Sequence, residues 1–352
     1  MRERTEMQQR VLGGTGIKVS PYCLGAMMFG SWANNDAEES ARIIHTALDA
    51  GINFVDTADV YSAGESEEIV GKALKGRRDD VVLATKFHNQ MGEDVNRRGN
   101  SRRWIVRAVE DSLRRLGTDH IDLYQIHRPD PDTDIEETLS ALTDLVRSGK
   151  VRAIGSSTFP AEQIVEAHWA SERRGYERLR TEQPPYSILN RAIETSVLPT
   201  TQRYGMGVLV WSPLSMGWLT GKYRKGVDTA QGRAAVQKPL FDTTIPANAR
   251  KAEAVEQLAK IAADAGCSLT HLAIAFAVSH PGVTSAIIGP RTLEQLNDLL
   301  AGTEVVLDDE ILDRIDEVVP PGTVLNPEDS YFRPRALTEP ALRRRPLASR
   351  SA

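Results

Sequence analysis

Cysteine is nearly missing from this chain: Cys23 and Cys267 are the two thiols in 352 residues, far apart and in no metal-like spacing. That excludes a disulfide-stapled scaffold and gives no sign of an oxidising compartment. A dominant charge is missing too. The 43 basic and 48 acidic side chains leave a formal net charge of −5, which announces no phosphate-binding face for nucleic acid or membrane. No stretch approaches the roughly 20 apolar residues of a membrane span. The amino-terminal MRERTEMQQR lacks the apolar run of a signal peptide. The expected setting is the cytoplasm, with neither nucleic acid nor membrane as partner.

Several signatures fail for want of one element. Gly13-Gly14-Thr15-Gly16 has no third fingerprint glycine and no strand-to-helix context for a dinucleotide turn. Gly217-Trp218-Leu219-Thr220-Gly221-Lys222 is one residue short of a P-loop and continues with Tyr223. The seven histidines do not cluster, and no His-Glu-x-x-His pair occurs, so nothing calls for a metal.

What the chain does have is one alternation repeated almost end to end. Short, largely β-branched runs at Ile52–Val55, Val81–Thr85, Ile121–Ile126, Val151–Ile154, Arg180–Gln183, Val208–Trp211 and Thr284–Ile288, with a short one at Tyr22–Leu24, make eight candidate strands. Amphipathic segments with readable ends follow them. Asp36 caps a face of Ile43, Ile44, Ala47 and Leu48, Ser101 caps Trp104–Leu116, and Asp134 opens Ile135–Arg147. Near-continuous apolar strands between amphipathic helices imply a parallel sheet covered by helices. Eight repeats fit a single closed (β/α)8 TIM barrel over residues 1–319, of α/β class, with an open doubly wound sheet as the rival. Val11–Ser20 reads as a small hairpin plugging the bottom of the barrel. Gly226–Thr244 is long and polar, as lids are. The tail, residues 320–352, is rich in proline and carries Arg343-Arg344-Arg345. Its last part is expected to be partly disordered, with Tyr331 and Phe332 available to dock.

Reactive groups of such a barrel stand at the carboxyl ends of its strands. Asp56 follows Val55, with Tyr61 in the next loop; Lys86 follows Thr85; His127 follows Ile126. Taken singly, each has a plain role as a cap, a rim charge, a packing ring or a satisfied imidazole. Taken together they form a chemistry. A phenol with an unperturbed pKa of about 10 is a poor proton exchanger near neutrality. A lysine cation beside it favours the phenolate and lowers that value. Asp56 keeps the lysine charged, and His127 donates a hydrogen bond to a carbonyl oxygen. The set supplies a proton donor and a clamp for oxygen that becomes negative. A hydride source is lacking, so a cofactor must provide it.

These residues lie within longer runs: Asn53-Phe54-Val55-Asp56-Thr57-Ala58 with Tyr61, Ala84-Thr85-Lys86, Ile126-His127-Arg128-Pro129-Asp130, Gly155-Ser156-Ser157, Gln183-Pro184-Pro185-Tyr186-Ser187, Trp211-Ser212-Pro213-Leu214, and Ile288-Gly289-Pro290-Arg291 with Glu294-Gln295-Leu296. In these, from Leu24-Gly25 to about Leu300, the chain resembles the aldo-keto reductase superfamily, closest to its bacterial and potassium-channel β-subunit-like branch. The resemblance implies NADPH extended across the rim and a small-molecule aldehyde or ketone as substrate. It implies Tyr61 as proton donor, Lys86 and Asp56 as its tuners, and His127 as substrate orienter. Ser157 and Gln183 would hold the nicotinamide carboxamide. Ser212, Leu214 and Gly217 would line the pyrophosphate, and Lys222 would reach a phosphate. Gly289, Arg291, Gln295 and Asp298 would surround the adenosine end. Asp56, Thr158, Trp211 and Pro213 complete the implied cofactor contacts. Arg291 near the 2′-phosphate favours NADPH over NADH. Thr158 stands where the family commonly has asparagine, and Leu299 where an adenine-contacting asparagine is frequent. Phe29, Trp32, His88 and Trp218 are candidate walls of the substrate pocket. A non-catalytic barrel that binds NADP(H) and regulates a partner is the alternative; relatives of that kind can lack the histidine that is present here as His127.

Overall fold

Alternation within strands builds two cores at once. In the computed structural model, which describes residues 7–224 and 237–350, Cys23, Phe54, Ala84, Leu123, Ala153 and Leu209 form an inner cluster with Leu12 and Val19. Their chain neighbours Leu24, Val55, Leu83, Tyr124, Ile154 and Val208 belong to the larger cluster beneath the helices. Side chains of a strand point alternately to opposite faces, so strands buried on both sides are apolar at every position.

An amino-terminal hairpin, β1 (Arg10–Val11) paired antiparallel with β2 (Lys18–Val19), precedes the barrel strands. These are β3 (Tyr22–Gly25), β4 (Phe54–Asp56), β5 (Val82–Phe87), β6 (Ile121–Ile126), β7 (Val151–Ser157), β8 (Thr181–Gln183), β9 (Gly207–Val210) and β10 (Ser285–Ile288). They close in the order β10-β3-β4-β5-β6-β7-β8-β9. Because β10 pairs in parallel with both β3 and β9, the expected barrel is realised and the open sheet is excluded. Strand ends differ from the sequence reading at functional positions. β5 continues through Lys86 to Phe87, and β7 runs on to Ser157, because both strands keep pairing with β6 or β8.

The hairpin plugs the amino-terminal mouth as expected, burying Leu12 and Val19 completely. Gly13 makes this seating possible. At φ +55° its ideal Cβ would stand 2.4 Å from the Arg180 carbonyl oxygen and 2.8 Å from the Gly207 nitrogen, closer than any side chain can be.

The helices are α1 (Ala37–Asp49), α2 (Glu65–Ala73), α3 (Arg102–Leu116), α4 (Ile135–Arg147), α5 (Ala161–Arg174), α6 (Val197–Arg203), α7 (Pro246–Asp264), α8 (Leu269–Ser279), α9 (Leu293–Ala301) and α10 (Asp309–Val318). The predicted caps hold. Asp36 accepts from the Glu38 and Glu39 amides, Ser101 from Trp104, and Asp134 from Glu136. These side-chain oxygens satisfy amides that have no partner inside the helix. Among the described residues no single helix is long and apolar enough to cross a membrane.

Most of the lid expected at Gly226–Thr244 lies outside the described residues. Its last part is anchored: Phe241 packs at 5.3 Å on Trp218 and at 4.1 Å on Tyr223. The tail docks first on the carboxyl-end rim. Asn190 bridges to Val324 and donates to the Asp329 carbonyl at 2.7 Å, while Lys251 Nζ meets Asp329 Oδ2 at 2.8 Å. Tyr331 then packs on Trp211 at 4.7 Å between ring centroids.

Candidate active site

Strand parity positions the reactive groups. Asp56 lies two residues beyond Phe54, Lys86 two beyond Ala84, and Gln125 two beyond Leu123, so all three share the inner face one layer above the apolar plug. Lys86, fully buried, donates from Nζ to Asp56 Oδ1 at 2.5 Å, to the Thr57 carbonyl at 2.8 Å and to Tyr61 Oη at 3.4 Å. The second oxygen of Asp56 accepts from Gln125 Nε2 and Gln183 Nε2, each at 3.0 Å. Gly155 leaves room for this layer, since a Cβ there would stand 2.1 Å from Thr181 Oγ1 and 3.4 Å from Gln125 Cγ. Tyr61 begins a short turn in which Ser62 and Ala63 adopt positive φ of 48° and 54°, backbone strain of the sort that gathers at functional sites. Its ring meets His127 edge-on at 5.9 Å and Trp32 at 6.0 Å.

The electrostatics correct one expectation. Burial pushes the Tyr61 phenol above its ordinary value, and Lys86 offsets this only in part because its charge is already engaged by Asp56. Lys86 itself is pushed down by burial, but Asp56 and Tyr61 outweigh that and raise it above an ordinary lysine. The ammonium is therefore secure and the phenol is kept protonated. Burial, followed by the Lys86 and Arg128 cations, holds His127 well below the usual imidazole range. It is neutral at pH 7. The Asn89 side-chain nitrogen lies 3.0 Å from His127 Nδ1 and donates to it, which leaves the ring proton on Nε2.

Beyond this group, Ser157 Oγ donates to the Gln183 carbonyl at 2.8 Å, and Arg128 Nη1 spans the His127 carbonyl at 2.7 Å, Thr158 Oγ1 at 3.0 Å and Ser157 Oγ at 3.4 Å. Thr158 holds φ +60°, unfavourable for a β-branched residue. Beneath it Glu182 is wholly buried, accepting from Ser156 Oγ at 2.5 Å and from the Phe159 amide at 3.0 Å. Burial pushes its carboxyl up to about 7.

Trp211 extends β9, its ring flanked by Tyr331 and by the Arg128 guanidinium at 5.7 Å. Past it, Ser212, Ser215, Met216 and Gly217 take φ of 58°, 48°, 58° and 112°, and Ser212 Oγ accepts from the Met216 amide at 2.9 Å. Pro213 is buried, and Leu214 packs against the core. A small cleft opens here, lined by Ser212, Ser215, Met216 and Tyr331 among others, and Tyr61 does not line it. Lys222, Gly289 and Arg291 are exposed. Gln295 Oε1 accepts from the Arg291 amide at 2.8 Å at the start of α9, while Asp298 is 3.3 Å from His271. A turn of this kind, with exposed Lys222 beyond it and exposed Arg291 at a helix start, suits the phosphates of a dinucleotide.

The structure thus joins Asp56, Tyr61, Lys86, His127 and Gln183 directly, ties Ser157 and Thr158 to Gln183 by hydrogen bonds, and brings Trp211 alongside through Arg128. The residues from Ser212 to Asp298 follow the rim separately. Of the expected pocket walls, Trp32 lines the mouth and His88 lies half-buried against Asn100 at 2.9 Å. Phe29 and Trp218 are core residues, 0% and 1% exposed. Asn89, Gln125, Arg128 and Glu182 were not anticipated. Strand parity alone would have found Gln125; nothing in the sequence distinguishes Asn89.

Comparison with known proteins agrees with this arrangement. The model described as the aldo/keto reductase family matches residues 21–320. The uncharacterized oxidoreductase YrpG of Bacillus subtilis (strain 168) is 40% identical over 328 residues, spanning 89% of this chain and 96% of its own length. The aldo-keto reductase YhdN of the same organism is 39% identical over 319 residues, spanning 86% and 91%. A probable voltage-gated potassium channel subunit beta of Oryza sativa subsp. japonica is 37% identical over 327 residues, spanning 89% and 97%.

Proposed function

Since the chain belongs to the aldo/keto reductase family, we propose that it reduces an aldehyde or ketone to the alcohol at the expense of NADPH, with Tyr61 as the proton donor. The observation that carries this reading is the Asp56–Lys86–Tyr61 chain of hydrogen bonds facing a neutral His127. NADPH supplies the hydride when bound. Ser157 and Gln183 would hold its carboxamide, the 212–217 turn and Lys222 its pyrophosphate, and Arg291 with Gln295 its adenosine end. Gln183 now spends its amide on Asp56 and on Gln125 Oε1 at 3.2 Å, so part of this network is exchanged on binding.

His127 Nε2–H orients the carbonyl oxygen from one side. Tyr61 Oη delivers its proton as negative charge grows on that oxygen, and the Lys86 cation stabilises the phenolate left behind. A phenol held protonated at neutral pH suits reduction, because the proton is already on the donor. Alcohol oxidation instead needs the phenolate. The reductive rate should therefore stay level through neutrality and fall as pH rises through the elevated Tyr61 pKa, while alcohol oxidation gains over the same window.

NADPH consumption against a panel of aldehydes, ketones and sugars tests the reading. Turnover of at least one carbonyl class is expected. Tight NADPH binding without turnover of any would select the regulatory barrel.

A further inference from the structure

We propose that Arg128 is a substrate-recognition residue and that the site selects carbonyl compounds bearing a carboxylate. The inference rests on the reductase reading above and adds the class of substrate.

Arg128 follows His127 at the carboxyl end of β6, half-buried on the rim. Its guanidinium is fixed from one corner. Nη1 makes all three hydrogen bonds, to the His127 carbonyl, Thr158 Oγ1 and Ser157 Oγ, and the ring of Trp211 lies 5.7 Å away. The edge formed by Nε and Nη2 makes no hydrogen bond among the described residues.

No carboxylate pairs with it directly, although Glu182 acts on it electrostatically from beneath Thr158. Lys86 is neutralised by Asp56 at 2.5 Å, and His127 carries no charge. Asp130 is engaged by the Asn100 amide at 2.9 Å and by Thr133 at 2.7 Å. Glu182 lies beneath Thr158 with its two oxygens held by Ser156 and Phe159. Arg128 takes part in no ion pair among the described residues. A half-desolvated cation with no carboxylate in contact is costly, and an anionic ligand on its open edge relieves that cost.

The free edge of a guanidinium matches a carboxylate in a two-point geometry that lysine does not offer. Its place decides which anion is meant. On that reading the cofactor's phosphates take their donors from the 212–217 turn, Lys222 and Arg291, whereas Arg128 follows His127 in the chain and couples electrostatically to the Tyr61 phenol, which places it beside the reacting carbonyl. The recognised anion is therefore a substrate carboxylate a few atoms from the carbonyl, with Trp211 and Trp32 as aromatic walls for the intervening group.

The test compares 4-carboxybenzaldehyde with benzaldehyde as paired substrates for the wild type, Arg128→Met and Arg128→Lys. The ratio of the two kcat/KM values cancels any damage common to both. The wild type is expected to favour the carboxylate-bearing aldehyde by about tenfold or more. Arg128→Met should bring the ratio near unity, and Arg128→Lys should retain part of it. An unchanged ratio in Arg128→Met overturns the proposal. So does an equal loss on both substrates that tracks weaker NADPH binding, which would assign Arg128 to the cofactor. Calorimetric binding of 4-carboxybenzyl alcohol against benzyl alcohol, with NADP+ present, decides the matter without turnover. Discrimination by the wild type that Arg128→Met abolishes supports the proposal even if no aldehyde is reduced, an outcome that would sink the reductase reading alone. Absence of discrimination in the wild type overturns the proposal.

Discussion

Around the ends of β4, β5 and β6 the polar side chains bond to one another, whereas around β9 and β10 they face outward. In the first region Asp56 receives Lys86, Gln125 and Gln183, and the lysine turns to Tyr61. In the second, Ser212 to Gly217 hold a turn of positive φ beside a small cleft, and Lys222 and Arg291 reach solvent. On the proposed function, the difference separates two tasks. Charges that must act on a transition state are oriented during folding, so no reorganisation is needed when the substrate arrives. Groups that hold a cofactor are left for the ligand to satisfy, so binding completes them.

Four substitutions test that division. The largest effect belongs to the closed region. Tyr61→Phe should lower kcat by roughly 1000-fold, within the range of general acid catalysis. NADPH affinity, followed by fluorescence titration, should stay within a few-fold. Near-normal turnover would mean that another group donates the proton.

Glu182, on β8 beneath Thr158, is tied to β7 through Ser156, and its contribution runs against pH. Burial raises its folded carboxyl from the ordinary 4.5 to about 7, so across that window the folded protein keeps a proton that the unfolded chain releases. Stability from this group is full at low pH and is lost as pH rises to about 7. Glu182→Gln removes the titration while keeping an acceptor for the Phe159 amide. Between pH 5 and pH 8 the wild type should lose stability relative to this variant by on the order of 3 kcal/mol. Buried His168, held down to about 4, contributes with the opposite slope, but it is common to both proteins and cancels. Parallel denaturant curves for the two proteins would contradict a buried, neutral Glu182.

In the open region Arg291→Ala should weaken NADPH by about tenfold and leave NADH nearly unaffected, as expected of a cation that reads the 2′-phosphate. Dissociation constants for both cofactors in both proteins decide this. Equal losses would remove Arg291 from 2′-phosphate recognition.

The smallest effect falls at the boundary. Thr158 sits at φ +60°, where a β-branched residue is strained and asparagine is tolerated. Thr158→Asn should stabilise the fold by about 1 kcal/mol, with its amide oxygen taking over the bond from Arg128. Thermal melts check this; a destabilised variant would mean that the Thr158 hydroxyl bond outweighs the strain.

The architecture was legible because both faces of each strand are buried. Largely apolar runs such as Val81–Thr85 or Ile121–Ile126 are expected only where a parallel sheet is covered on both sides. Residues at strand ends, such as Asp56, Lys86 and His127, were legible for the same reason, since the barrel assigns chemistry to that position. Phe29 and Trp218 show where this reading stops. An aromatic near the rim is compatible with a pocket wall and with a core, and only packing separates them; both are core.

The local chain by itself determined the strand and helix order, the caps at Asp36, Ser101 and Asp134, and the identity of the four groups that meet at Tyr61, because each depends on neighbours within a few residues or on strand parity. The tertiary structure decided how those groups are charged. Tyr61 is held protonated because burial outweighs a lysine already held by Asp56, and His127 is kept neutral by burial and nearby cations, with its proton on Nε2 because Asn89, 38 residues earlier, donates to the other nitrogen. That Arg128 meets no carboxylate directly was decided in the same way, by Asp130 and Glu182 turning their oxygens to Asn100 and Ser156. Desolvation and charge pairing arise from residues far apart in the chain, and their signs are set only when the barrel closes.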